Sequence, residues 1–116
     1  MKTVAHIFHD DEDSLLTGSR LPRRVAEVAA QNDVEVEVFV FGAAQRRLGR
    51  SETDTDRKFN AQIDELIAAG VPVGACVNAA RADGAETELL ERGLTLAVAR
   101  DVFLRYTLEG ATVVGF

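Results

Sequence analysis

The chain has no tryptophan, a single cysteine (Cys76) and only two lysines, Lys2 and Lys58. One cysteine excludes an intrachain disulfide and every dithiol motif, so no dithiol–disulfide cycle can run within one chain. No apolar run approaches the roughly 20 residues that span a bilayer. The opening Met1-Lys2-Thr3-Val4 passes straight into a strand-like stretch without the plan of a signal peptide, and a cytoplasmic location with no membrane partner is expected. Positive charge is scarce too: 13 Lys and Arg face 19 Asp and Glu, a net charge of −6. Binding to nucleic acid needs a basic face against the phosphates, so no nucleic-acid partner is expected.

What is present is aliphatic and regularly spaced. Hydrophobic residues make up 47% of the 116 residues and aromatics 6%, enough for one core in one domain over residues 1–116. Thr3 to Phe8 reads as a buried strand ending in the polar run His9 to Asp13. A helix is expected from Thr17 or Ser19 with Pro22 in its first turn, burying Leu21, Val25, Val28 and Ala29. Val34 to Phe41 alternates at first and ends wholly apolar, which predicts a strand half open and half covered on both faces. A short helix over Ala43–Leu48 follows, then a polar loop, Gly49–Asp56, expected to be the most mobile segment. Asp54 or Thr55 caps a helix whose buried face is Phe59, Ile63, Leu66 and Ile67, and Gly70 with Pro72 ends it.

Val71–Val77 is expected as a third strand, followed by two short helical pieces around Asp83-Gly84. Leu94–Ala99 is a fourth strand, Asp101–Glu109 a helix and Ala111–Phe116 a fifth strand. Such alternation predicts an α/β fold with parallel strands and right-handed crossovers.

Ligands of open parallel sheets sit beyond the carboxyl ends of the strands, here His9-Asp10-Asp11, Gly42, Cys76-Val77-Asn78 and Arg100-Asp101. G-x-G-x-x-G, the phosphate loop and the G-x-S-x-G elbow are all absent, and no cofactor is expected. His6 and His9, three apart on a strand, point to opposite faces, so no metal site is expected either.

Cys76 differs by its place. Val71, Val73, Ala75 and Val77 share one face of their strand; Pro72, Gly74 and Cys76 share the other. A thiol just before a helix N-terminus feels the partial positive charge of unpaired amides, which favours the thiolate, and Arg81 is close enough in sequence to add to it. Asn78 is a candidate hydrogen-bond donor to the sulfur, and His9 a candidate neighbour on the same edge. A small, inert, buried hydrophobe is the competing reading of the same cysteine.

The run Ala69-Gly70-Val71-Pro72-Val73-Gly74-Ala75-Cys76-Val77-Asn78-Ala79-Ala80-Arg81 resembles the central motif of the DsrE/DsrF-like family. Glu88 to Gly93 and the Gly110-to-Phe116 ending fit as well. The resemblance implies a three-layer α/β/α fold with a parallel five-stranded sheet of order 4-3-2-1-5. It further implies assembly into homotrimers or homohexamers, with sulfur donor and acceptor proteins as partners, and a persulfide-carrying cysteine that maps to Cys76. The last helix supports assembly independently, since Val102, Phe103, Leu104, Tyr106 and Leu108 leave it apolar on most sides. Two functions follow as expectations: a sulfur-relay carrier acting through Cys76, or a non-catalytic oligomeric module that binds a small ligand or partner while Cys76 packs inertly. In the second, the binding crevice would be lined by His9, Asp10 and Gly42.

Overall fold

A computed structural model describes all of residues 1–116. Five strands, β1 (Lys2–Ile7), β2 (Glu35–Val40), β3 (Val73–Cys76), β4 (Thr95–Ala97) and β5 (Thr112–Gly115), pair in the order β4-β3-β2-β1-β5, and every pairing is parallel. Six helices connect them: α1 (Glu12–Ala29), α2 (Gly42–Gln45), α3 (Asp54–Ala68), α4 (Val77–Ala82), α5 (Glu86–Arg92) and α6 (Ala99–Glu109). The expected α/β class and strand order are observed.

Strand parity divides the core. Ala5 and Ile7, Val38 and Val40, and Val73 and Ala75 lie in register on one face and join Leu15, Phe59, Ile63, Leu66, Ala80 and Leu89 from α1, α3, α4 and α5. The opposite face carries Val4, His6, Phe39, Gly74 and Cys76, and there α6 supplies Val102 and Tyr106 to a smaller cluster. Gly74 makes room for this packing, because a Cβ at that position would lie 3.3 Å from the Phe39 ring. Ion pairs hold α6 in place, Arg105 to Glu37 at 3.0 Å and Lys2 to Glu109 at 3.0 Å.

The first helix departs from expectation. It starts five to seven residues early, because Asp11 caps it by accepting from the Ser14 amide at 3.1 Å and the Ser14 hydroxyl at 2.7 Å. Pro22 therefore lies inside the helix, and the buried face runs through Leu15, Gly18, Ser19, Pro22 and Ala29 while Leu21 and Val28 are exposed. Gly18 sits on that face because a Cβ there would meet Ile7 at 2.9 Å and Phe116 at 3.1 Å.

The segment expected to be mobile is exposed from Gly49 to Asp54 but anchored at its ends by hydrogen bonds. Thr53 and Asp56 form a capping box at the start of α3, and Asp56, 1% exposed, accepts from Arg47 Nε at 2.6 Å. The same guanidinium donates to the Asp10 carbonyl at 3.1 Å, linking the loop to the end of β1. The Asn60 amide lies within hydrogen-bond distance of the Arg47 and Arg50 carbonyls, and its oxygen accepts from the Gly49 N–H at 2.9 Å. The polar groups that anchor the segment, Asp56, Thr53 and Asn60, face partners within the protein rather than water alone.

Burial alone would raise the Asp56 carboxyl, but its bonds with Arg47 and Thr53 outweigh that and hold it below the ordinary value of 3.8. A carboxylate depressed in the fold stabilises the protein above its unfolded pKa and ceases to do so as pH falls through the folded value. Asp56→Asn is expected to cost about 3 kcal/mol at neutral pH, because it strands the partly buried Arg47. Urea titrations at pH 7 and pH 3 check this: the gap between variant and parent should narrow at the lower pH.

Candidate functional site

The site forms where β3 meets α4 with no loop between them. Cys76 is the last residue of β3 and the N-cap of α4, with extended backbone (φ −74°, ψ 125°). Register sets it opposite Ala97 of β4, and parity places it on the α6 face of the sheet. It is 5% exposed. Gly74 and Ala75 precede it in the strand, and Val77 and Asn78 open the helix that follows.

The hydrogen bonds of the site converge on the Cys76 backbone. The Cys76 N–H donates to Gln45 Oε1 at 3.0 Å, and Gln45 Nε2 donates to the Cys76 carbonyl at 2.8 Å. Gln45 is 4% exposed, one of only three buried polar or charged residues in the chain. Nothing in the sequence pointed to it: a glutamine in Gly-Ala-Ala-Gln reads as an ordinary surface residue of a short helix. The one available signal was its place, four residues beyond the end of an apolar strand on the ligand-bearing edge of the sheet.

The other residues singled out from the sequence lie apart from the sulfur. Asn78 is exposed in the first turn of α4. Arg81 is exposed in the last turn of that helix, where Glu86 takes its guanidinium at 3.1 Å. His9 is exposed with its ring edge-on to Phe8 at 5.3 Å, and its backbone N–H donates to the terminal Phe116 carbonyl at 3.2 Å. Asp11, by capping α1, is committed to structure; its bonds with Ser14 hold its carboxyl below the ordinary range. Gly42 opens α2 at φ +60°, and a Cβ there would overlap the Phe8 ring.

His6, on the face shared with Cys76, is wrapped by aromatic rings: Phe103 at 5.0 Å, Phe8 at 5.8 Å, Phe39 at 6.4 Å and Phe41 at 6.5 Å between centroids. Its Nε2 is buried without a hydrogen bond. Burial first, and His9 second, push its pKa down, so it is neutral at physiological pH.

On the opposite side of the junction Gln45 forms one wall of an open cleft of about 280 Å³, with Arg46, Arg50, Asp83 and Glu88 around it. Cys76 does not line this cleft.

A model of the DsrE/DsrF-like family matches residues 3–116. The chain belongs to the DsrE/DsrF-like family. No curated protein matches it, but solved structures do. A protein of unknown function from Methanobacterium thermoautotrophicum, MTH1491, superposes with a TM-score of 0.73 at 26% identity, over 99% of this chain and 98% of that one. BT1422 of Bacteroides thetaiotaomicron, a conserved protein of unknown function, gives 0.78 at 15% identity, over 99% and 94%. The ychN protein of E. coli gives 0.70 at 20% identity, over 99% and 97%. The last two share the fold. No helix of this DsrE/DsrF-like chain is long and apolar enough to cross a membrane.

Proposed function

We propose that this protein is a sulfur-relay carrier that accepts and passes on sulfane sulfur through Cys76. The observation that carries the reading is the position of the chain's only thiol, at the carboxyl end of β3 and at the start of α4, in a family linked with sulfur relay. In the first step the Cys76 thiolate attacks the outer sulfur of a donor persulfide; the donor's S–S bond breaks and the donor leaves as its thiolate. In the second an acceptor thiolate attacks the outer sulfur of the Cys76 persulfide, and Cys76 leaves as thiolate. Each step makes one S–S bond and breaks one, so no oxidant or reductant is consumed.

One thiol suffices for this cycle, whereas disulfide exchange within the chain would need two. Asn78 and Arg81, on the helix that Cys76 caps, and His9, two residues beyond β1, are the supporting groups of the proposal.

Mass spectrometry after incubation with a persulfide donor tests the proposal. A gain of about 32 Da, one sulfur atom, is expected in the parent and absent in Cys76→Ser. No gain, or an equal gain in the variant, contradicts it. The burial of Cys76 and the separate polar cleft beside Gln45 favour a second reading, a binding module with an inert cysteine. That reading predicts a thiol that resists alkylation in the native protein.

The carrier is further proposed to act as a homotrimer or homohexamer. A single helix, α6, covers the Cys76 face of a five-stranded sheet, leaving Phe8 and Val113 exposed beside it. On the outer side of α6, Leu104 and Leu108 are 58% and 78% exposed. Burial of these residues against another copy would remove apolar surface that a monomer leaves in water. Sedimentation equilibrium is expected to give three or six times the 12.6 kDa chain mass; a 12.6 kDa species at micromolar concentration contradicts assembly.

A further inference from the structure

We propose that Gln45 is the positioning residue of the Cys76 site: its buried amide holds both peptide groups of Cys76 and so sets the direction in which the thiol leaves the backbone. The consequence for sulfur transfer rests on the relay reading; the hold on the backbone does not.

In a parallel ladder, alternate residues direct both their N–H and their C=O to the same neighbouring strand. β2 accompanies β3 as far as the Val40–Ala75 pair. At the next residue the chain turns away, and Gly42 adopts φ +60° to begin α2. Cys76 thus lies one residue beyond the strand that would have served it, in a place where buried peptide groups need partners. A glutamine side chain carries the donor and the acceptor of a peptide group. α2 delivers Gln45 to this point, and its amide takes the place of the missing strand at 3.0 and 2.8 Å.

Two bonds to one residue constrain more than two bonds to different residues. They fix the peptide planes on both sides of the Cys76 Cα, and the Cα–Cβ direction follows from those planes. The amide also does this without charge. A carboxylate in its place accepts from the N–H but turns a negative oxygen on the Cys76 carbonyl, and asparagine falls one methylene short. The charged groups sharing the cleft with Gln45 are Arg46, Arg50, Asp83 and Glu88; they lie on its solvent side and make no bond to the Cys76 backbone.

The test uses Gln45→Met, which keeps the length and removes both bonds, with Gln45→Asn as the second variant should the first not fold. Amide hydrogen exchange reads the hold. The Cys76 N–H is expected to exchange at least about tenfold faster in either variant, while the N–H of Ala75, which an alternating ladder turns to the other neighbour, keeps its protection. Equal acceleration at both amides, or none at Cys76, overturns the proposal.

Paired rates then separate positioning from stability. Sulfur uptake is expected to fall at least about tenfold while alkylation by iodoacetamide stays level or rises, since a looser strand end exposes the thiol to any small reagent. Uptake and alkylation changing together in the same direction assigns Gln45 to folding alone and overturns the positioning role. A parent protein that takes up no sulfur refutes the relay reading, and hydrogen exchange alone then decides on Gln45.

Discussion

A parallel strand that runs past its neighbour leaves peptide groups that must find partners or pay for dehydration, at about 1–3 kcal/mol for each one left bare. β3 is buried along its whole length and ends one residue beyond β2, at Cys76. The Gln45 amide answers that constraint, and much of the local architecture follows from it. α2 has to turn immediately after β2 to bring Gln45 round, which places Gly42 in the left-handed region against Phe8. The loop after α2 is then held by Arg47 and Asn60 to α3 and to the end of β1. The carboxyl edge of the sheet is accordingly a braced surface, and its one thiol sits at the centre of the bracing.

Much of this fold is legible from residue order alone. Apolar runs separated by helical spacing specify parallel strands and crossovers, and Gly70 stops its helix as expected, in the left-handed conformation that Gly93 and Gly110 also adopt after α5 and α6. The order of the strands came from the family resemblance, because alternation does not say on which side of β1 the fifth strand lies. Helix boundaries failed where side chains compete. Asp11 outdoes Thr17 and Ser19 as a cap because its carboxylate reaches the Ser14 amide in the first turn of α1. Pro22 lies inside the helix and on its buried face, where its ring adds to the packing that offsets the lost hydrogen bond.

The site was legible only in part. Cys76 could be found by elimination and by strand parity, since there is one thiol and the face it occupies follows from a period of two. Gln45 could not, because its partner lies 31 positions away and the contact is made to backbone, which carries no residue identity. The Arg47–Asp56 pair was hidden for a similar reason: a polar, charged stretch looks solvated until the fold turns one carboxylate inward. Arg81 shows the converse. Its sequence distance from Cys76 suggested a neighbour, but one and a half helical turns carry it to the far end of α4, where Glu86 engages it.

Burial and the proposed sulfur chemistry meet at Cys76. An enclosed thiol is protected from indiscriminate oxidation, and a carrier that hands sulfur between proteins gains from that protection when its partners dock over the strand end. The central claim is that the sulfur taken up there is also given away. The direct measurement is release: protein loaded with one labelled sulfur at Cys76 is mixed with an acceptor thiol, and the label is followed as the chain returns to its unmodified mass. Transfer of the label to the acceptor, with regeneration of the Cys76 thiol, is the predicted result. A label that stays on Cys76, or leaves only when the protein is unfolded, contradicts the account.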